Sequence, residues 1–130
     1  MKIKVMKKWV KALRSGKYKQ GGGTLKQFNS KGIAQHCCLG VLCELYNDEM
    51  RKNKKKILPE KVDYNSYYRD GYCRFDGHEG DLPKKVMKWA GLKTQYGGYS
   101  SHQNSLTDWN DNGHSFNKIS NIIEKRWESL

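Results

Sequence analysis

The chain has 130 residues, of which 36% are hydrophobic and 29% charged, and its mean hydropathy is −0.94. This length favours a single domain over 1–130 with its own core, and the hydrophobic fraction excludes a disordered chain. No segment approaches the ~18 apolar residues of a membrane span, and the basic start lacks the apolar block of a signal peptide. We therefore expect a cytoplasmic protein with reduced cysteines and no membrane contact.

The first half of the chain predicts a helix, a β-hairpin and a buried helix. Met6, Trp9, Val10 and Leu13 follow the helical spacing of one apolar face, and Gly16 ends that helix. Residues 24–28 and 33–36 are typical of two strands joined by a turn at 29–32. Residues 38–46 carry apolar side chains on nearly every side, which indicates a short buried helix.

The second half predicts a hairpin and two further helices. The basic residues 51–56 indicate an exposed loop, and Asp70-Gly71 predicts a turn between strands 67–69 and 72–75. Pro83 and Gly91 mark the ends of a helix, and residues 94–103 read as a loop. Ser115 is expected to cap a last amphipathic helix. The fold class is therefore α+β, with about four helices packed with two β-hairpins.

Basic residues are concentrated near the start of the chain. Residues 1–43 carry ten Lys or Arg and no Asp or Glu, so they supply most of the net charge of +12. A field of this sign attracts anions. The same lysines are also explained by a role in solubility. The charge is therefore compatible with a nucleotide partner, with a nucleic-acid partner and with no anionic partner at all.

Four motifs together resemble an uncharacterised family of small tailed-phage proteins. They are Trp9-x3-Leu13-Arg-Ser-Gly-Lys-Tyr-x-Gln20, Cys37-Cys-Leu-Gly-Val-Leu-Cys43, Leu82-Pro-x-x-Val-x-x-Trp-x-Gly-Leu92 and Asn110-Asp-x-Gly-x-Ser-Phe-x-x-Ile119. The resemblance implies a phage context, that is, the cytoplasm of an infected bacterial host. It carries no known activity and assigns no catalytic residue.

The cysteines between residues 37 and 43 suggest a metal site or a nucleophile, but their spacing favours neither. On a helix they point roughly 100–140° apart, so they cannot hold one ion. A nucleophile needs a base within hydrogen-bond reach, and the adjacent His36 is expected to face elsewhere. We predict no metal, no cofactor and no catalytic residue here. Instead, the small residues Cys38, Gly40 and Cys43 let neighbouring elements approach a central helix.

A segment near Asp108 resembles half of a calcium loop. Asp108, Asn110 and Asn112 have the required spacing, but the twelfth position is Ile119, where a bidentate acid is needed. We interpret this segment as a turn that leads into the Ser115 cap and places polar groups beside a helix N-terminus.

The glycine-rich segment after the first helix is the candidate binding site. Free backbone N–H groups of Gly22 and Gly23 can cradle a phosphate, lysines add charge, and Tyr18 offers an aromatic face for a base. A helix N-terminus would add further donors. The candidate ligand-binding residues are Lys17, Tyr18, Lys19, Gln20, Gly22, Gly23, Lys26, Asn110, Asp111 and Ser115.

These features favour non-enzymatic binding of a small phosphate-bearing ligand, such as a nucleotide or a nucleotide-derived signal. In a phage context the protein would sequester a host defence signal. The alternatives are a sequence-nonspecific nucleic-acid-binding module and a protein–protein inhibitor of a host factor. An enzyme ranks behind them, because no base, metal or nucleophile constellation emerges. The oligomeric state stays open, and a dimer that shares the pocket is one alternative.

Overall fold

The first helix, α1 (Ile3–Arg14), forms because its apolar residues recur on one face. In the computed structural model, which describes residues 1–64, 71–100 and 104–130, this face is buried against the rest of the domain. Trp9 is fully buried, and its indole N–H donates to the Cys38 carbonyl at 2.9 Å. Gly16 follows the helix with a φ of 74°, the left-handed conformation that ends helices.

The described strands form one five-stranded sheet in the order β1-β3-β2-β5-β4. Their bounds are β1 (Lys19–Gln20), β2 (Lys26–Phe28), β3 (Ala34–His36), β4 (Glu60–Tyr64) and β5 (Gly71–Phe75). β1 pairs parallel to β3, and the other pairs are antiparallel. Residues paired across the sheet share a face. One such row consists of Gln20, His36, Lys26, Cys73 and Val62.

The central helix is α2 (Cys38–Lys52), whose first six residues are all buried. Gly40 lies directly against the backbone of Leu25, just before β2. A Cβ atom added there would overlap the Leu25 carbonyl oxygen and lie 2.6 Å from its carbonyl carbon. The prediction that small residues let neighbours approach this helix is confirmed, since Cys37, Cys38 and Cys43 are buried as well.

Three shorter helices complete the described domain: α3 (Lys84–Ala90), α4 (Leu106–Asp111) and α5 (Phe116–Arg126). Gly91 ends α3 in the left-handed conformation, as expected. Ser115 caps α5, because its hydroxyl accepts from the Lys118 N–H at 3.2 Å. Helices α5 and α2 both pack against α1.

The α+β class is confirmed, but the described residues differ from the predicted elements in detail. Strand β1, strand β4 and helix α4 were not predicted, and α2 runs on to Lys52, so Arg51 and Lys52 are helical. β1 is held by tertiary pairing, and β4 is an edge strand whose mostly polar, exposed residues hide the alternation. Residues 67–70 of the predicted hairpin lie outside the described residues. Gly71, predicted as a turn residue, pairs with Tyr64 in the sheet.

Candidate functional site

The structure brings the glycine-rich segment against the segment at 110–115, two of the stretches that the sequence marked for ligand binding. Gln20 donates from its amide to the Asn110 side-chain oxygen at 3.0 Å and to the His114 carbonyl at 2.7 Å. Asn110 in turn donates to the Gly21 carbonyl at 2.7 Å. A polar network therefore joins β1 to α4 and to the start of α5.

Several backbone donors at this junction are already in use. The Gly23 N–H donates to the Asp111 carboxylate at 2.9 Å, and the Phe116 N–H at the start of α5 donates to the Gln20 side chain at 3.0 Å. The first N–H of α2, that of Cys38, donates to Asn110 at 3.1 Å. Because the Asp111 carboxylate already accepts the hydrogen bond of the Gly23 N–H, this segment does not offer the set of free backbone donors that phosphate binding requires. Its contacts hold the fold together, and its role toward a ligand stays a prediction.

The three lysines around this segment do not converge on one point. Lys19 and Gln20 are successive strand residues, so their side chains point to opposite faces of the sheet. Lys26 lies under α2, where its ammonium is 3.6 Å from Glu44 and 3.7 Å from Glu60. Lys17 stays on the α1 side, with its ammonium 5.4 Å from the centre of the Tyr18 ring.

Lys17 and Tyr18 line a pocket between α1 and α2. Its volume is about 290 Å³, and its polar lining consists of Lys8, Lys11, Ser15, Lys17, Tyr18 and Asp48. Lys8, Lys11 and Asp48 were not assigned to a ligand pocket from the sequence. The available signal was the i, i+3 spacing of Lys8 and Lys11 on α1, which places them on one side of the helix, followed by the Gly16 stop that turns Lys17 back.

Tyr18 enters this pocket as a neutral phenol. Burial, and then the carboxylates of Asp48 and Glu44, raise the pKa of Tyr18 above its usual value of 10. The Tyr18 ring packs against the His36 ring in an edge arrangement, with 5.3 Å between the ring centres. The pocket thus offers three ammonium groups, a hydroxyl that can donate and an aromatic ring.

A second cluster, formed by Lys26, His36, Glu44 and Glu60, lies behind Tyr18 between the sheet and α2. His36 is only 5% exposed, and neither ring nitrogen has a hydrogen-bond partner among the described residues. Burial, and then the charge of Lys26, lower the pKa of His36 to about 4. Burial raises the pKa of Glu44, and Lys26 opposes this shift. This cluster was not predicted, because the pairing register of the strands brings its residues together and the sequence does not reveal that register.

The cysteines are thiols rather than thiolates. Burial raises the pKa of Cys37 to about 11, although backbone N–H groups at the start of α2 act in the opposite direction. Cys38 and Cys43 are fully buried, and burial raises their pKa well above the usual value. Since the thiolate is the nucleophile, this arrangement disfavours thiol chemistry.

Neither a metal site nor a membrane span appears in the described parts of the chain. No group of three or more His, Cys, Asp or Glu side chains in residues 1–64, 71–100 and 104–130 is placed to hold a metal ion. Within the same ranges, no helix is long and apolar enough to cross a bilayer.

The described residues define a small, basic α+β protein with a lysine-lined pocket beside its first helix. The chain matches the model of the family described as Domain of unknown function (DUF8296) over residues 1–127, so it belongs to that family. Neither a curated protein nor a solved structure matched the chain.

Proposed function

We propose that this protein binds a small phosphate-bearing ligand, such as a nucleotide, in the pocket between α1 and α2. The observation that supports the proposal is the convergence of Lys8, Lys11, Lys17 and the Tyr18 ring on one pocket. Lysines attract and hydrogen-bond phosphate oxygens, and an aromatic ring near them suits a nucleobase. The volume of about 290 Å³ lies near the lower end for small-molecule pockets, which fits a mononucleotide-sized ligand.

The electrostatics of the pocket favour an anion over a cation. Its three lysines outnumber the single carboxylate, that of Asp48, which also forms an ion pair with Arg51 at 3.3 Å. The Lys8 ammonium lies 3.9 Å from the Glu49 carboxylate. This contact is long enough for the ammonium to turn toward a ligand. Within the described part of the chain, Lys11 and Lys17 form no ion pair.

Calorimetry against a panel of linear and cyclic nucleotides tests this function. We expect Lys17→Ala to weaken binding by roughly 1.5–3 kcal/mol, the range for a charge-assisted hydrogen bond, with an unchanged melting temperature. Lys31→Ala is the matched control, because Lys31 is an exposed lysine in the β2–β3 turn. The proposal would be refuted if no nucleotide of the panel bound, or if Lys17→Ala and Lys31→Ala changed the affinity equally.

The biological setting is a proposal that follows from the phage resemblance. In the cytoplasm of an infected bacterium, a non-enzymatic nucleotide binder would act by sequestering a host defence signal. Native mass spectrometry of protein purified from phage-infected cells tests this directly. A retained nucleotide mass supports sequestration, whereas protein that always emerges without one from infected cells argues against it.

A nucleic-acid-binding module is the second candidate, and the charge of α1 favours it. The helix contains no acidic residue, and its lysines at 4, 7, 8 and 11 are exposed. If duplex DNA binds here, affinity should fall steeply with salt as bound phosphates release counterions. Replacing the four lysines with alanine should flatten that slope, and failure to shift any DNA or RNA at low salt would eliminate this candidate.

A further inference from the structure

A groove of about 790 Å³ runs between α1 and α5, on the flank of α1 next to the one that lines the nucleotide pocket. Met6 and Val10, spaced four residues apart, form its floor, and each keeps only 6–7% of its surface exposed. Lys7 and Lys11 form the parallel row beside them, and lysine side chains contribute apolar stems below their charges. The groove thus has an apolar floor and a cationic rim.

The end of this groove is closed by one ion pair. Arg14 reaches across to α5, where it pairs with the Glu124 carboxylate and donates to Ser120 at 2.9 Å and Asn121 at 2.6 Å. This network neutralises the carboxylate of Glu124 that lines the groove. Lys7 and Lys11 form no ion pair within residues 1–64, 71–100 and 104–130, so the rim keeps a net positive charge.

We propose that this groove docks an acidic amphipathic helix of a partner protein. A helix laid along α1 would place an apolar row on Met6 and Val10, as helices do when side-chain ridges pack into grooves. Lys7 and Lys11 are one helical turn apart, about 6 Å along the axis. They would therefore pair with two acidic residues that are also four positions apart on the partner helix.

Charge complementarity is what selects this partner. The rim disfavours a basic helix, because each lysine of such a helix would meet a like charge at short range. The occupant is therefore defined by a row of apolar residues and by Glu or Asp at positions i and i+4. This surface shares only Lys11 and Ser15 with the proposed nucleotide pocket, so each can be tested with a lysine that belongs to one alone.

The test is a selection with a yeast-displayed library of 18-residue helical peptides. Each peptide has a fixed leucine row, and its flanking positions are randomised among Glu, Lys, Ser and Ala. We expect binders of the full chain to carry Glu at i and i+4 and to lose at least tenfold in affinity against Lys7→Glu. Lys31→Glu, an equal charge change in the β2–β3 turn, and Lys17→Ala, which removes the pocket lysine, should leave affinity unchanged.

A charge swap separates docking from a general effect of charge. A selected peptide with Lys in place of its Glu pair should bind Lys7→Glu better than the wild-type protein. Amide shifts at Lys7, Val10 and Glu124 should accompany binding of the original peptide.

Several outcomes would overturn the proposal. The proposal of an acidic partner helix is wrong if the selection enriches no peptide, or enriches peptides without a preference for Glu. It is also wrong if the selected peptides bind Lys7→Glu and Lys31→Glu equally well. A dimer that dissociates on Lys7→Glu in sedimentation would assign the groove to a second copy of this chain. Displacement of the selected peptide from the groove by a DNA duplex would assign it to nucleic acid.

Discussion

Replacing Gly40 with alanine should change the free energy of unfolding through two opposing effects, a gain in helix propensity and a steric overlap with Leu25. Gly40 lies inside α2, where alanine is favoured over glycine by about 1 kcal/mol of helix propensity. The added methyl group would, however, overlap the carbonyl oxygen of Leu25 and lie 2.6 Å from its carbonyl carbon and 3.2 Å from its Cα. Carbon atoms pack at about 3.5–4.0 Å, so α2 and the segment before β2 must separate by at least about 1 Å.

That separation would disturb the buried hydrogen bonds around the start of α2. The Cys37 N–H donates to Leu25 at 3.3 Å, and the Trp9 indole donates to the Cys38 carbonyl at 2.9 Å. Each buried bond lost costs about 1–3 kcal/mol, and the gain in helix propensity offsets about 1 kcal/mol. The free energy of unfolding should therefore fall by roughly 1–5 kcal/mol.

Urea unfolding followed by tryptophan fluorescence measures this loss. Gly80→Ala is the matched control, because its added methyl group would meet only the Gly23 carbonyl at 3.7 Å, an ordinary contact. We expect the control to change stability by less than about 1 kcal/mol. A Gly40→Ala protein that is as stable as the wild type, or more stable, would refute the close packing of α2 on Leu25.

Three further predictions address other parts of the core. The folded-state pKa of His36 is about 4, below the unfolded value of 6.5, so the unfolded state binds more protons between these values. The free energy of unfolding should therefore rise with pH across that window, by up to about 3 kcal/mol. His36→Asn should remove this rise. The raised pKa of Glu44, which makes stability fall with pH, should act unchanged in that variant. Asn110→Ala removes three hydrogen bonds and should cost roughly 2–4 kcal/mol in chemical denaturation, whereas the exposed Asn112→Ala should cost little. Cys43→Ala should lower stability by roughly 1–2 kcal/mol without affecting ligand binding, and rapid labelling of this thiol in the native protein would contradict its burial.

The elements that sequence predicted well are those whose pattern is local. α1 and α5 each carry an apolar face at helical spacing, and Gly91 and Ser115 mark a helix end and a helix start by their own chemistry. β1 was missed because two residues have no periodicity, and only their pairing with β3 makes them a strand. β4 was missed because an exposed edge strand carries few apolar residues.

The candidate site shows the same division between local and long-range information. Gln20 and Asn110 were both named from the sequence, but as ligand contacts rather than as partners of each other. The bond between them joins residues 90 positions apart, and no local pattern specifies it. The presence of Asp48 in the same pocket as Lys8 and Lys11 likewise depends on how α1 crosses α2.

The packing of α1 against α5 has a consequence for synthesis of the protein in the cell. The apolar face of α1 emerges from the ribosome about 100 residues before α5, which packs against it and begins at Phe116. At 5–20 residues per second, the gap between the two helices lasts roughly 5–20 s. During that time the apolar face of α1 lacks its native contacts with α5. The lysines of α1 flank this face with like charges that repel neighbouring chains, which would oppose aggregation of the nascent chain until α5 is made.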